Sequence, residues 1–451
     1  MTEPPPPRPD RVTETTQLRW THSPGLAAGA GAALLLGAIG LIAARIDVAL
    51  LSLPLIVAIA LSWDRRPAAQ QSATATLSLV DAGSSEVAYS LDLAAPRAVE
   101  MIVVRHSVLG GEAREVVVAG WVGSIGDLSG TVPLLHSGPQ ELVRFDYRFL
   151  STDAAAASIP QDPIVGERVV APSQKLIRSL PLPRRLQGLT GPHESARAGD
   201  GGEFRDIHPF TVGDRLRRID WKATARRGQS AGDLYVRRTN ALADATVLIV
   251  MDSRDDVGEQ VREWSRNVAV EKGVSSLDIA REAASSIASA YIAAGDRVGF
   301  QDLSSRARMV AHAGGRRHLW RLLRVIDLTA PSSVAFRHRR PPIVPPGALV
   351  YLLSSLLDDQ ALSLALTWLG NGHRVIAVDV LPPARFARTN RYERVAHRMV
   401  LMGRDDRVRL LRMRGVEVLR WSEEAASLPL AARLQLLARP VRRRGSRGAR
   451  R

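Results

Sequence analysis

The chain has 451 residues, 45% of them hydrophobic and 24% charged, which is enough for more than one core of ordinary size. It has no cysteine, which excludes disulfides, thiolate metal sites and cysteine nucleophiles. With 61 basic and 45 acidic residues the net charge is +16, so anionic partners, either nucleic acid or a membrane surface, come forward.

Residues 1–24 open with the Pro-rich stretch MTEPPPPRPD and are expected to be disordered. Residues 25–44, GLAAGAGAALLLGAIGLIAA, are uncharged for one hydrocarbon thickness, roughly 30 Å at helical rise. A second apolar run, residues 48–63, contains Pro54, where a kink is expected. Two runs so close read as a transmembrane helical hairpin over residues 25–66, because bare backbone does not cross lipid. Arg8, Arg11 and Arg19 precede it and Arg65 and Arg66 follow it, which puts both termini in the cytoplasm of a two-span protein of the cell membrane. A cleaved signal peptide ending near Ala43 and Ala44 is the alternative, and the immediate second apolar run argues against it. Gly25, Gly29, Ala33 and Gly37 recur every four residues, either as a stripe for close helix packing or as mere Gly/Ala composition.

Residues 73–170 alternate in short runs. Val143, Phe145, Tyr147 and Phe149 interleave with Arg144, Asp146 and Arg148, and turn residues separate one run from the next. An antiparallel β-sandwich is expected, with no catalytic constellation and the role of a spacer or interaction module. Residues 171–240 read as a basic linker followed by a charged segment. From 241 to 438, strand-like and helix-like patterns alternate, which predicts an α/β doubly wound domain. Ser275 and Asp278 are spaced as a capping box before the helix over 277–294. Ligands of such sheets bind beyond the carboxyl ends of strands, here Asp252–Asp256 and Ser354–Asp358.

Within Glu203–Arg226 the chain reads E-F, then G-D, R-I-D-W and A-R. In this segment, and in its order of modules, the chain resembles the bacterial family known as domain of unknown function 58. The matching residues are Glu203, Phe204, Gly213, Asp214, Arg218, Ile219, Asp220, Trp221, Ala225 and Arg226. His208, Phe210 and Val212 depart from the Arg, Tyr and Pro of the family pattern. Three readings of the segment compete. As a structural belt, Gly213 turns the chain, Asp214 bonds its own turn, Arg218 and Arg226 clamp Asp220 or Asp214, and Trp221 is a buried anchor. As a recognition surface, Arg215, Arg217, Arg226 and Arg227 meet an anion or a partner. Catalysis is the third reading, but no activated nucleophile is visible.

The resemblance implies a last domain like a von Willebrand factor A domain, in which Mg²⁺ often sits at a strand end in a D-x-S-x-S motif. The aligned residues here are Asp252, Arg254 and Asp256, and a later strand end carries Ser354 and Ser355 where Ser-Asp is common. Arg254 replaces an oxygen ligand by a fixed cation, so no cofactor and no metal are expected, and Arg254 is expected to pair with Asp252 or Asp256. An unusual site of Asp255, Asp256 and Asp358 is the variant that would still take Mg²⁺.

Walker A, H-E-x-x-H and G-x-S-x-G patterns are absent. Residues 439–451 hold seven arginines and no acid, a tail for anionic lipid, for nucleic acid or for solvent alone. The chain is therefore expected to be a membrane-anchored, non-enzymatic scaffold. Its resemblance implies a MoxR-type AAA+ ATPase and a client protein as partners. The alternative is a membrane-associated nucleic-acid-binding protein using the basic segment and tail. A hydrolase at Asp252, Asp255 and Asp256 would need the metal that Arg254 opposes.

Overall fold

The computed structural model describes residues 11–63, 71–83, 85–119, 124–151, 155–186, 191–230, 232–264, 273–304, 308–331, 341–387, 389–423 and 428–439. The chain divides into two compact units, residues 1–135 with 140–168, and residues 136–139 with 169–451. Residues 1–10, expected to be disordered, and all of the Arg-rich tail after Arg439 lie outside the described residues.

In the first unit, residues 11–22 correct the expectation of disorder. They form β1 (Arg11–Leu18) and β2 (Trp20–His22). The reason is local chemistry: RVTETTQL is rich in β-branched residues, and Thr13 and Thr15 meet Thr76 and Thr74 across the strands at 3.4 Å. The apolar hairpin follows as α1 (Pro24–Ile42), α2 (Ile46–Leu50) and α3 (Ser52–Trp63). Ser23 caps α1 through the Leu26 N–H at 3.2 Å, with Pro24 in the first turn where it costs no hydrogen bond. The spans Pro24–Ile42 and Ile46–Trp63 are each long and apolar enough to cross a membrane. Helical order breaks at Leu51, three residues before Pro54, whose ring crowds the preceding turn and whose nitrogen donates nothing. The Gly/Ala stripe is a packing seam. Gly37 faces Ser52, Gly29 faces Ile59 and Ala33 is buried, while the tightest approach is Gly40 against the Ala49 backbone.

The β domain continues with β3 (Gln71–Asp81), β4 (Glu86–Ala94), β5 (Val99–Val108), β6 (Arg114–Ala119), β7 (Ser124–Pro133), β8 (Gly138–Ser151), β9 (Ala156–Ser158) and β10 (Ile164–Val170). One sheet has the order β1-β3-β4-β7, and the other β2-β9-β8-β5-β6 with β10 beside β8. The hairpin is thus an insertion between strands of the β domain. Leu77, Leu91 and Leu93 of one sheet share a core with Ile102, Val104, Phe145 and Phe149 of the other. The alternation through 143–149 puts its apolar members in that core, as period two dictates.

In the second unit, residues 173–182 are a bound strap, where a linker was expected. Ser173 bonds Glu282, the Lys175 N–H bonds Ser286 Oγ at 2.9 Å, and the Pro181 carbonyl accepts from Tyr291. Ile177 and Leu180 add apolar contact to the sheet domain. Next come β11 (His193–Pro209), α4 (Trp221–Arg227) and β12 (Tyr235–Ala243); β11 and β12 form an antiparallel ribbon. The remaining elements are β13 (Thr246–Met251), α5 (Ser276–Ala293), β14 (Arg297–Asp302), β15 (Met309–Ala313), α6 (Arg316–Asp327), β16 (Leu349–Ser354), α7 (Asp359–Gly370), β17 (Arg374–Asp379), α8 (Arg391–Arg414), β18 (Glu417–Arg420) and α9 (Leu430–Ala438). Strand β15 and helix α8 are additions to the expected pattern.

These strands make one sheet of order β15-β14-β13-β16-β17-β18, parallel except for β15 at the edge. Val247, Ile249 and Met251 pack with α5, α6 and α9 on one face, and Leu248 and Val250 with α7 and α8 on the other. A run buried on both faces is what a parallel sheet requires. The expected capping box of α5 is present: Ser275 Oγ accepts the Asp278 N–H, and Asp278 accepts the Ser275 N–H at 3.0 Å. The order of strands reverses between β13 and β16, so a crevice opens at their carboxyl ends.

Candidate functional site

Two candidate sites lie in the second unit. At the sheet crevice, β13 delivers Asp252 and Arg254, while β16 delivers Ser354 and, one turn later, Asp358. Arg254 Nε and Nη2 donate to the two carboxylate oxygens of Asp252 at 2.7 Å each. The other side of the same guanidinium donates to Asp358 at 2.6 and 3.2 Å, and also to Gln360. Ser354 Oγ donates to Asp252 at 2.8 Å. Burial opposes the charge on Arg254, but the hydrogen bonds and charge of Asp252, then those of Asp358, outweigh it and raise its pKa. Leu356, buried between Ser354 and Asp358, takes a left-handed φ of 57°, a strained turn that bulky residues avoid.

Arg254 thus pairs with Asp252, as expected, and with Asp358. Asp256 lies elsewhere: its carboxylate accepts from Ser276 Oγ and the Leu277 N–H at the start of α5, and burial pushes its pKa up. Asp255 has no hydrogen-bond partner among the described residues. Burial and the charge of Asp252 push its pKa up, with Arg254 opposing. Ser355 stays out of the cluster and offers its carbonyl to Arg404 at 2.9 Å. A guanidinium between Asp252 and Asp358 takes the carboxylate oxygens that a hard cation would need and adds a like charge, so these residues do not fit Mg²⁺. Among the described residues no group of three His, Asp or Glu is arranged to hold a metal ion. Gln360 was missed by sequence reasoning; an amide in the first turn of α7 carries no signal of its own.

The second site is the Glu203–Arg226 segment. Thr211–Asp214 is a turn in which Gly213 takes φ 106° and Asp214 accepts from the Thr211 N–H and hydroxyl at 2.9 and 2.8 Å. Asp220 caps α4 through the Ala223 N–H at 2.9 Å. The expected buried clamp under a Trp is corrected here. Arg238, not Arg218 or Arg226, reaches Asp214, at 3.5 Å, while Arg218 donates to the Gly199 carbonyl at 3.0 Å. Trp221 is 68% exposed and Phe204 48% exposed, and Glu203, Ala225 and Arg226 also face solvent. The cause is the ribbon: two strands and a seven-residue helix offer no second layer to bury an indole. Ile219 bridges to Val236, which ties the segment to β12.

Trp221 instead borders an open groove of about 570 Å³ with Arg217, Arg218, Arg237 and Thr239. The Arg237 guanidinium also lies over the Phe204 ring, 5.2 Å from its centre. Arg237 and Thr239 come from β12, outside the segment that drew attention in the sequence. Three guanidiniums beside an exposed indole can hold a carboxylate- or phosphate-bearing partner. Among the described residues lining the groove the one acid is Asp220, whose carboxylate accepts the cap hydrogen bond, and none of them is a nucleophile with a base beside it.

Residues 206–387 match the family described as Protein of unknown function DUF58. No curated protein and no solved structure matches the chain.

Proposed function

We propose that this protein is a membrane-anchored, non-enzymatic adaptor that recognises a protein partner through the Trp221 groove. The observation that carries the reading is the exposure of Trp221 among Arg217, Arg218 and Arg237. An exposed indole beside guanidiniums combines the residue types that anchor protein interfaces. The apolar hairpin holds the chain in the cell membrane, with both termini in the cytoplasm. The last domain is von Willebrand factor A-like, a reading supported by the doubly wound sheet and by Asp252 at its crevice. Its strand end works without metal, because the Arg254 charge substitutes for the ion. The partner is a MoxR-type AAA+ ATPase acting on a client protein, as the resemblance to the family implies, and ATP hydrolysis belongs to that partner.

The test is a pull-down from native membranes with the full chain and with a Trp221→Ala, Arg237→Ala variant, read by mass spectrometry. Retention of an AAA+ ATPase by the native chain and its loss from the variant supports the reading. Equal retention removes the groove from the contact. If the native chain retains no ATPase and nucleic acid is bound at the groove, the alternative of a membrane-associated nucleic-acid-binding protein takes its place.

A further inference from the structure

Helix α6 presents a face that neither the groove nor the Arg254 cluster uses. Its inner side is anchored: His318, Leu322 and Ile326 are buried, and the His318 ring bonds the Val298 carbonyl at 2.7 Å. Its outer side carries Trp320, 61% exposed, with Arg316, Arg317, Arg321 and Arg324 also exposed. At about 100° per residue all four arginines lie on the same half of the helix as the indole. None of the four guanidiniums forms an ion pair or hydrogen bond with a described residue. Four other arginines of the unit are ion-paired: Arg308 with Asp302, Arg374 with Glu417, Arg404 with Asp379 and Arg407 with Asp359.

The helix breaks local rules in the same direction. Arg316 and Arg317 stand in its first turn, where the helix dipole disfavours cations, and no acid is in that turn to offset them. Arg317 and Arg321 repel at four residues' spacing. The one acid, Asp327, ends the helix half-buried and pairs with none of them. A bound layer of anions would relieve both penalties at once.

We infer that the outer face of α6 docks on an anionic phospholipid surface, with the guanidiniums on lipid phosphates and the Trp320 indole at headgroup depth. Indole rings partition to that depth, and arginine stems reach along apolar surface while their heads stay at phosphate. Such a surface is at hand, because the same chain carries two helices long and apolar enough to cross a bilayer. A Trp and Arg anchor of a protein interface sits at a concave, desolvated site such as the groove beside Trp221, whereas this indole stands on the convex face of a helix. A single nucleic-acid strand would ask for a groove with successive aromatic platforms, and this face has one ring on a convex helix.

The inference rests on the membrane reading of the hairpin, and the test separates the two. The chain has no cysteine, so Trp320→Cys gives one attachment point for an environment-sensitive fluorophore in the full-length protein. The labelled chain is reconstituted in vesicles of phosphatidylcholine alone, or with about one part in three phosphatidylglycerol, and quenched by lipids carrying nitroxides near the headgroup. Flotation with phosphatidylcholine vesicles reports the hairpin. Quenching at position 320 reports α6 and is expected to rise about two-fold or more with phosphatidylglycerol, and to fall back in high salt. Changing the four arginines to Gln is expected to abolish that rise, and changing them to Lys to preserve it. Equal quenching in both vesicle types, a rise that survives the Gln changes, or protection of the label by an oligonucleotide and not by lipid would each overturn the inference. Failure to float with phosphatidylcholine alone, joined to phosphatidylglycerol-dependent quenching, would sink the hairpin reading and leave that of α6 standing.

Discussion

Arg254 and Asp252 lie two residues apart, and their paired hydrogen bonds at 2.7 Å close a planar fork on a carboxylate at the crevice of the sheet. The other edge of the fork reaches Asp358, 104 residues further along the chain. One guanidinium therefore neutralises two strand ends and pins them together.

Removing it leaves two carboxylates facing each other, Asp252 almost fully buried and Asp358 partly exposed. Arg254→Ala is expected to destabilise the chain by about 3 kcal/mol, measured as a shift in the urea midpoint. Arg254→Lys should recover little, since an ammonium cannot serve both forks. Pairing Arg254→Met with Asp252→Leu should recover much of the loss, because an apolar pair leaves no buried charge unpaired.

The same cluster fixes the response to metal. Magnesium titrated into the native protein is expected to give no binding heat. Arg254→Ser restores an oxygen beside Asp252 and lifts the cationic charge, and it should create measurable Mg²⁺ affinity. Tight Mg²⁺ binding by the native chain that Asp252→Ala abolishes would refute the reading of Arg254 as the cation's substitute.

Asp327 gives a pH signature. Burial pushes its carboxyl from 3.8 up to about 6, with Arg281 opposing. A carboxyl raised on folding binds its proton more tightly in the native state, so its contribution is fully present below about pH 4 and is lost as pH rises through about 6. Asp327→Asn removes that loss. With a discount for partial exposure, the variant should gain about 1 kcal/mol over the native protein at pH 8 and nothing at pH 3.5. Thermal unfolding across that range is the check.

Two tryptophans should respond oppositely. Trp221→Ala is expected to change stability by less than about 0.5 kcal/mol, because the ring is in water, while it removes partner retention. Trp368 is 1% exposed, against the sheet, with its indole N–H on the Pro342 carbonyl at 3.1 Å, and Trp368→Ala should cost about 3–5 kcal/mol.

Tyr291 holds the strap. Its hydroxyl donates to the Pro181 carbonyl and sits 2.9 Å from that of Tyr351, all in the interior. Tyr291→Phe leaves a buried carbonyl unpaired and should cost about 1–2 kcal/mol. Trypsin should then cut at Lys175 or Arg178 well before the sheet domain unfolds. Unchanged cleavage would mean that Ile177 and Leu180 hold the strap by apolar contact alone.

Much of the architecture was legible because it is written in local pattern. The length of the apolar runs gave the hairpin, alternation through Val143–Phe149 gave a sandwich strand, and Ser275 with Asp278 gave the start of α5. Residues 11–22 show no strand signal strong enough to outweigh the proline run beside them, because the partners of β1 and β2 lie beyond the hairpin. Strand β15 is short, and α8 is so rich in arginine that its apolar period is faint.

The sites divide along the same line. The sequence by itself determined that Arg254 would stand beside Asp252, because adjacency along the chain guarantees proximity. Only the tertiary structure decided that Asp358 and Gln360 complete the clamp, that Asp256 turns to cap α5, and that Arg238 rather than Arg218 or Arg226 holds Asp214. It also decided that Trp221 stands in water and not under a salt-bridge network. Residue type sets what a side chain can bond and how strongly it avoids water. Which partner it meets, and whether a second layer covers it, depends on how distant strands close over one another, and local pattern does not encode that.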